Sequence, residues 1–374
     1  MVPSDHPWPF EMATDHRRID TYRGHLAAVT AIIWHAVRST DPVVDTACTH
    51  LVRAGGKGFR PLVSVLSAAA VGEVTHRTHV AAASCELLHL STLYHDDVID
   101  GADLRRGTSS ANRAWGERLA VLAGNRLTAS ALEVASRAGA DVPPIVASTY
   151  RQLVEGERRE SLLVGCTEYD IADYLRVIDG KTASLIAAAA RVGAISADAP
   201  GTQVDAVTAW GRTVGQAYQV ADDLLDLTAS SAETGKPAGN DLRQGVFTLP
   251  LLDAMSGRDG EELRRLLARA RPYPQASVER VLTLIRRCGA IERASRRVDE
   301  LLAGADEALA ALPPGPARSA LQGLARSVIP TVANTSPTPH ASAADTPRSA
   351  VTTSTTDAPL AVGARFPASE PEPV

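Results

Sequence analysis

The sequence predicts an all-α protein, and three observations carry the prediction. Apolar residues make up 45% of the chain while aromatics make up only 4%, so the core must be built from Ala, Leu and Val, the composition of closely packed helices. The apolar residues recur at helical intervals, as in Leu87, Leu88, Leu90, Leu93 and Tyr94 and again in Leu263, Leu266 and Leu267. No segment alternates apolar and polar residues convincingly enough to read as a strand.

Taken in order, residues 1–20 read as a flexible leader, and the helical domain runs over residues 21–330. Helix breakers divide that domain at Arg53–Gly58, Gly101–Ser110, Gly139–Pro144, Asp198–Thr202 and Thr228–Phe247. No repeat of fixed period stands out. Residues 331–374 change to Thr, Ser, Pro and Ala with few large apolar side chains, and such a segment cannot bury enough surface to offset its ordering entropy, so a disordered tail is expected there.

A chain of 374 residues can bury a large core. Its formal net charge of −5 disfavours a nucleic-acid partner, which needs a basic face, so any phosphate site must be local. Cys48, Cys85, Cys166 and Cys288 lie far apart with no CxxC pair, which signals neither zinc nor a disulfide framework. The polar N-terminus lacks the apolar stretch of a signal peptide, and no apolar run is long enough to span a bilayer. The expected location is cytoplasmic, with peripheral membrane contact open to a greasy product.

The chemistry is concentrated in a repeated pattern, Asp96-Asp97-Val98-Ile99-Asp100 and Asp222-Asp223-Leu224-Leu225-Asp226. On a helix, residues four apart share a face, so Asp96 lies over Asp100 and Asp222 over Asp226. Like charges at that spacing repel by about 0.2–0.5 kcal/mol per pair. One such cluster can be a solvated face; two, each ending an apolar run (CELLHLSTLYH and GQAYQVA), call for a counter-cation. Hard oxygen ligands suit Mg²⁺, which prefers a few carboxylates, waters and substrate phosphates to an all-protein cage.

Cationic groups surround these clusters in sequence. Gly55-Gly56-Lys57-Gly58-Phe59-Arg60 places two cations three residues apart after a glycine loop, and Arg105-Arg106-Gly107 follows the first cluster by five residues. Lys181 and Thr182 stand beside a run of small residues, and Lys236 lies in the loop after the second cluster. His89 stands two helical turns before Asp96, on the same face. Each taken alone is more often a solvated or structural group. Together they read as a cavity for two diphosphates, with Arg suited to bidentate contact and Lys acting as a point charge. No Walker loop, dinucleotide-binding glycine motif or nucleophile elbow is present.

The segments GGKGFRP, ELLHLSTLYHDDVIDGADLRRG, GKTASL, YQVADDLLD and GKPAGNDLRQG, in that order, resemble the trans-isoprenyl diphosphate synthase (polyprenyl synthetase) family over residues 21–330. The resemblance implies a single large helical bundle of the isoprenoid synthase type around a deep central cavity. It implies condensation of an allylic diphosphate, such as farnesyl or geranylgeranyl diphosphate, with isopentenyl diphosphate by a homodimeric, Mg²⁺-dependent transferase binding up to three ions. It assigns Lys57, Arg60, His89 and Arg106 to isopentenyl diphosphate. Asp96, Asp97, Asp100, Asp222, Asp223 and Asp226 fall to metal, and Arg105, Lys181, Thr182, Gln219 and Lys236 to the allylic substrate. Asp96, Asp97, Asp100, Lys181 and Asp222 form the catalytic set.

This chain departs from the family's usual pattern at Gly58 and Val246, where basic residues are frequent, at Thr108–Asn112 after the RRG turn, and at Asn125, where Asp is usual. None of these is an aspartate of either cluster or a primary cation. A class I terpene cyclase or head-to-head synthase would not need the separate isopentenyl diphosphate set, and a silent regulatory subunit would not keep both aspartate clusters. In the family's fold the growing chain runs alongside the helix that ends at Asp96. Ser91, five residues upstream, and its neighbour Thr92 are small, which predicts an open tunnel and a product of six or more isoprene units, with geranylgeranyl diphosphate as the alternative.

Overall fold

The helices of this chain begin and end where its short polar side chains and glycines put them. Asp41 accepts hydrogen bonds from the Val43 and Val44 amides at 2.9 and 3.1 Å and starts one helix. Thr75 and Thr78 form a reciprocal cap that starts another, and Asp170 and Asp173 do the same further on. The computed structural model describes residues 16–228, 238–269 and 271–329, with side chains from Tyr22 onward.

Among the described residues the elements are α1 (His16–Val37), α2 (Pro42–Arg53), α3 (Phe59–Val71), α4 (His76–Ile99), β1 (Leu104–Arg105), β2 (Thr108–Ser109), α5 (Ala111–Trp115), α6 (Glu117–Ser136), α7 (Val142–Leu163), α8 (Ile171–Ile178), a π-helical turn (Asp179–Ala183), α9 (Ser184–Ser196), α10 (Gly201–Thr228), α11 (Asn240–Gln244), α12 (Leu249–Met255), α13 (Gly260–Leu267), α14 (Gln275–Arg287), α15 (Ala290–Ala308), a 3₁₀ turn (Leu309–Ala311) and α16 (Pro316–Val328). The all-α expectation holds.

Two local corrections follow. Within the stretch 1–20 expected as a flexible leader, residues 16–20 are helical, since α1 begins at His16; no Pro or Gly interrupts the chain between His16 and Thr21. The segment read as a plain break over Gly101–Ser110 contains a two-residue hairpin, with Leu104 opposite Ser109 and Arg105 opposite Thr108. Its turn is Arg106-Gly107, both at positive φ (53° and 74°), the geometry a tight hairpin requires. Residues 1–15, Lys236 and the expected tail 331–374 lie outside the described residues.

Two apolar cores hold the bundle. The larger gathers α1–α4, α6 and α9 around Leu62, Leu66, Leu87, Leu127, Leu185 and Trp210. The second packs the C-terminal half of α10 against α12–α15, around Leu224, Phe247, Leu252, Leu263 and Leu284. Close helix packing replaces aromatic bulk: a Cβ on Gly193 of α9 would lie 2.2 Å from the Ser64 carbonyl of α3. No helix among the described residues is long and apolar enough to cross a membrane.

Candidate active site

The first aspartate cluster sits at the C-terminal end of α4 and the second near the end of α10. Asp100 closes α4, its amide donating to the Asp96 carbonyl at 2.8 Å. Within each cluster the carboxylates take different surroundings.

Asp97 is fully buried. One of its oxygens accepts from Arg105 Nε at 2.7 Å and the other from the Ala111 amide at 3.2 Å, at the first turn of α5. The structure thus engages two predicted ligand-contacting groups, Asp97 and Arg105, with each other. Asp226 likewise accepts from the Asn240 and Asp241 amides, each at 3.1 Å, tying α11 back to α10. Asp223 is buried and accepts from Tyr174 Oη at 2.6 Å and Gln219 Nε2 at 2.9 Å. Burial pushes its carboxyl up to about 8, against the lowering effect of those two hydrogen bonds. For Asp96, burial and then the Glu157 carboxylate raise the carboxyl to about 7, opposed by Lys181.

Two cavities meet at Lys181. A polar one of about 220 Å³ is lined by Asp100 on one side and by Asp222 and Asp223 on the other, with Lys181, Thr182, Gln219 and Asp241 between them. An apolar one of about 520 Å³ runs between α4, α6 and α7, from Asp96, Glu157 and Lys181 past Val98, Val121 and Leu153 to Thr92, Asn125 and Tyr150. Helical spacing put the two clusters at helix ends, and the fold brings both onto the wall of one polar cavity.

Lys181 and Thr182 stand on the π turn, and adjacent residues there reach opposite walls. Lys181 Nζ pairs with Glu157 of α7 at 3.0 Å and contacts Glu160. Burial would lower the ammonium's pKa, but Glu160 and Glu157 outweigh it and the net shift is upward, so Lys181 stays charged. Thr182 Oγ1 donates to Gln219 Oε1 on α10 at 2.8 Å. The turn fits because α7 carries Gly156 there: a Cβ at that position would lie 2.5 Å from the Lys181 amide nitrogen.

The cations expected to bind isopentenyl diphosphate converge as well. The Arg106 guanidinium donates to the Leu51 carbonyl at 3.2 Å and to the Gly55 carbonyl, underneath the glycine loop that carries Lys57. Gly56 makes room for it, since a Cβ there would meet Arg106 Nη1 at 2.9 Å. Arg60 faces Glu86 and Tyr218, and its buried Nε has no partner. Burial first, then Arg60, Arg106 and Arg105, hold His89 well below the ordinary imidazole range, so at neutral pH it is an uncharged donor among arginines. Lys57 is exposed on its loop.

Ser91 is placed differently from the expectation. It is fully buried, its hydroxyl donating to the Leu88 carbonyl at 2.7 Å, whereas Thr92 lines the apolar cavity. One step along a helix turns a side chain by about 100°, enough to exchange cavity for core. Sequence reasoning also passed over Glu157, Glu160 and Tyr174. The two glutamates lie in the polar run EGERRE, which reads as a solvated face; the only signal was Gly156 beside them.

Among the described residues no three His, Cys, Asp or Glu side chains converge to cage an ion. The donors are carboxylates placed on two facing walls of a polar cavity. Such an all-oxygen set, incomplete by itself, fits a hard divalent ion that keeps its waters and completes its shell with a phosphate.

Residues 41–285 match the Polyprenyl synthetase family model, and the chain belongs to that family. It is 42% identical to a nonaprenyl diphosphate synthase of Mycobacterium tuberculosis over 306 residues, 81% of this chain and 91% of the relative. It is 39% identical to heptaprenyl diphosphate synthase component 2 of Geobacillus stearothermophilus, over 80% of this chain and 93% of that one. Its fold superposes with a TM-score of 0.77 on a polyprenyl synthase from Caulobacter crescentus complexed with calcium and isoprenyl diphosphate, at 34% identity, covering 83% of this chain and 96% of that one.

Proposed function

We infer that this chain is a trans-prenyltransferase that condenses an allylic diphosphate with isopentenyl diphosphate to give an all-trans polyprenyl diphosphate of six or more isoprene units. The observation that carries the reading is the junction at Lys181 of a polar, carboxylate-walled cavity with an apolar one. A diphosphate with a hydrocarbon tail is polar at one end and greasy along the rest, and the two cavities match that division. Relatives named for nonaprenyl and heptaprenyl products favour the long product over geranylgeranyl diphosphate.

In this reading Lys181, Thr182 and Gln219 hold the allylic diphosphate, together with Lys236, which lies outside the described residues. Arg60, Arg106, His89 and Lys57 hold that of isopentenyl diphosphate, and Arg105 orients Asp97. Asp96, Asp97 and Asp100 with Asp222, Asp223 and Asp226 would hold up to three Mg²⁺ ions; of these, Asp100, Asp222 and Asp223 line the polar cavity. Bound Mg²⁺ supplies neutralisation of the charge that grows on the departing diphosphate. Lys181 adds a fixed positive charge at the same place. The allylic C–O bond breaks, the isopentenyl alkene attacks the allylic carbon, and a proton is then lost to the released pyrophosphate. The aliphatic wall of Val98 and the buried Leu153 keeps water from the cation.

A homodimer accords with Val121, Leu122, Val154 and Leu162, large apolar side chains exposed on α6 and α7 beside the apolar cavity. A cytoplasmic location and peripheral membrane contact at product release complete the proposal. Incubation with Mg²⁺, isopentenyl diphosphate and farnesyl diphosphate, followed by sizing of the products, tests it. Cyclised hydrocarbons would identify a terpene cyclase, and no turnover without a second protein would identify a dependent subunit.

A further inference from the structure

The π turn Asp179–Ala183 is a single wide turn in an otherwise α-helical segment. Such turns are rare and frequent at functional sites, so what holds one in place matters. Here the holding groups come from two other helices. Arg212 Nη1 donates to Asp179 Oδ2 at 2.6 Å and Gln216 Nε2 donates to Asp179 Oδ1 at 3.0 Å, both from α10. Arg212 Nη2 also reaches Gln152 Oε1 of α7 at 3.5 Å. On the α7 side, a Cβ on Gly180 would lie 3.0 Å from the Gln152 carbonyl and 3.1 Å from Gly156 Cα, so backbone meets backbone there.

The α10 groups form one stripe. Arg212, Gln216, Gln219 and Asp223 follow each other at steps of four, three and four residues, the spacing of a single helix face. The first two grip Asp179; Gln219 grips Thr182 and hands a hydrogen bond to Asp223. The stripe therefore runs from the start of the π turn to the second aspartate cluster.

We propose that Asp179, clamped by Arg212 and Gln216, is a positioning residue for the allylic half of the site. The clamp keeps the turn wide, so that Lys181 faces α7 while Thr182 faces α10. Without it the segment can rewind toward α-helical geometry, which would rotate both side chains off their walls. Among the described residues no hydrogen bond or ion pair joins Arg60, His89 or Arg106 to Arg212, Gln216, Gln219 or Asp223. This inference rests on the reading of Lys181 and Thr182 as allylic-diphosphate groups.

The experiment is steady-state kinetics with each substrate varied separately, on the full chain carrying Arg212→Met, Arg212→Lys, Asp179→Asn and Lys181→Met. Arg212→Met should lower kcat/KM for the allylic diphosphate by about tenfold or more, leave KM for isopentenyl diphosphate unchanged, and be partly rescued in Arg212→Lys. Asp179→Asn should give the same split, with helical content and melting temperature checked for each variant. Combined with Lys181→Met, Arg212→Met should add little, because both act on one group. Equal losses on both substrates, or full additivity with Lys181→Met, would overturn the clamp. Lys181→Met without an allylic defect would overturn the underlying reading and the clamp with it. A defect in Lys181→Met but none in Arg212→Met or Asp179→Asn would overturn the clamp alone.

Discussion

Lys181 Nζ lies 3.0 Å from Glu157 Oε2, and the pair stands where the polar and apolar cavities join. A glutamate pair keeps the ammonium charged in a partly buried place, so it is preorganised for an anion. Lys181→Met should lower kcat by about 10²-fold, as loss of one preorganised group at a developing charge does. Glu160→Gln, which keeps shape and removes one partner, should cost less. Product formation from labelled isopentenyl diphosphate measures both, and near-normal turnover in Lys181→Met would remove this residue from the mechanism.

Asp96→Ala and Asp222→Ala should each abolish condensation while circular dichroism stays near wild type, because neither side chain belongs to the apolar cores. EDTA should silence the unmodified protein in the same way. Activity that survives chelation would defeat the metal reading.

The small residues before the first cluster separate into two kinds. Thr92→Phe places a ring in the apolar cavity and should shift products to shorter chains. Ser91→Phe has no space to occupy and should instead destabilise the fold by about 1–3 kcal/mol, the usual cost of overpacking. Chromatography of the products and urea midpoints distinguish the two; shortened products from a fully stable Ser91→Phe would reverse the assignment.

Gly193→Ala should also cost about 1–3 kcal/mol, since its Cβ would press on the Ser64 carbonyl of α3 at 2.2 Å. It lies in the core, away from the two cavities, so kcat per folded molecule should be unchanged. A neutral melting temperature would mean that α3 and α9 can move apart freely.

His25 Nδ1 and His79 Nε2 lie 2.9 Å apart between α1 and α4. Burial lowers both imidazoles below 6.5, and His25 and His76 lower His79 further. The unfolded chain then takes up protons near 6.5 before the folded one does, so stability is full above that pH and falls as the pH drops through the folded values. Urea midpoints should decline from pH 7.5 toward pH 5, conditions of about the ordinary imidazole range, and His79→Gln should flatten the decline. An equal slope in that variant would place the effect on other groups.

The sequence by itself determined the helical class, both aspartate clusters and most of the cationic set. Those signals are local: a 3.6-residue period, a four-residue spacing and a glycine loop do not depend on distant partners. What the tertiary structure decided was which of those groups faces the cavities. Spacing places Asp97 beside Asp96 and Asp226 one turn from Asp222, but it does not say that Arg105 and the Ala111 amide engage the first carboxylate and the α11 amides the second. Ser91 and Thr92 are neighbours in the chain, but one helical step puts the first in the core and the second in the cavity wall. The Lys181–Glu157 pair spans 24 positions, and the Asp179–Arg212 clamp 33. Contacts of that range come from how α7, the π turn and α10 pack, and no periodicity within any one of them encodes it.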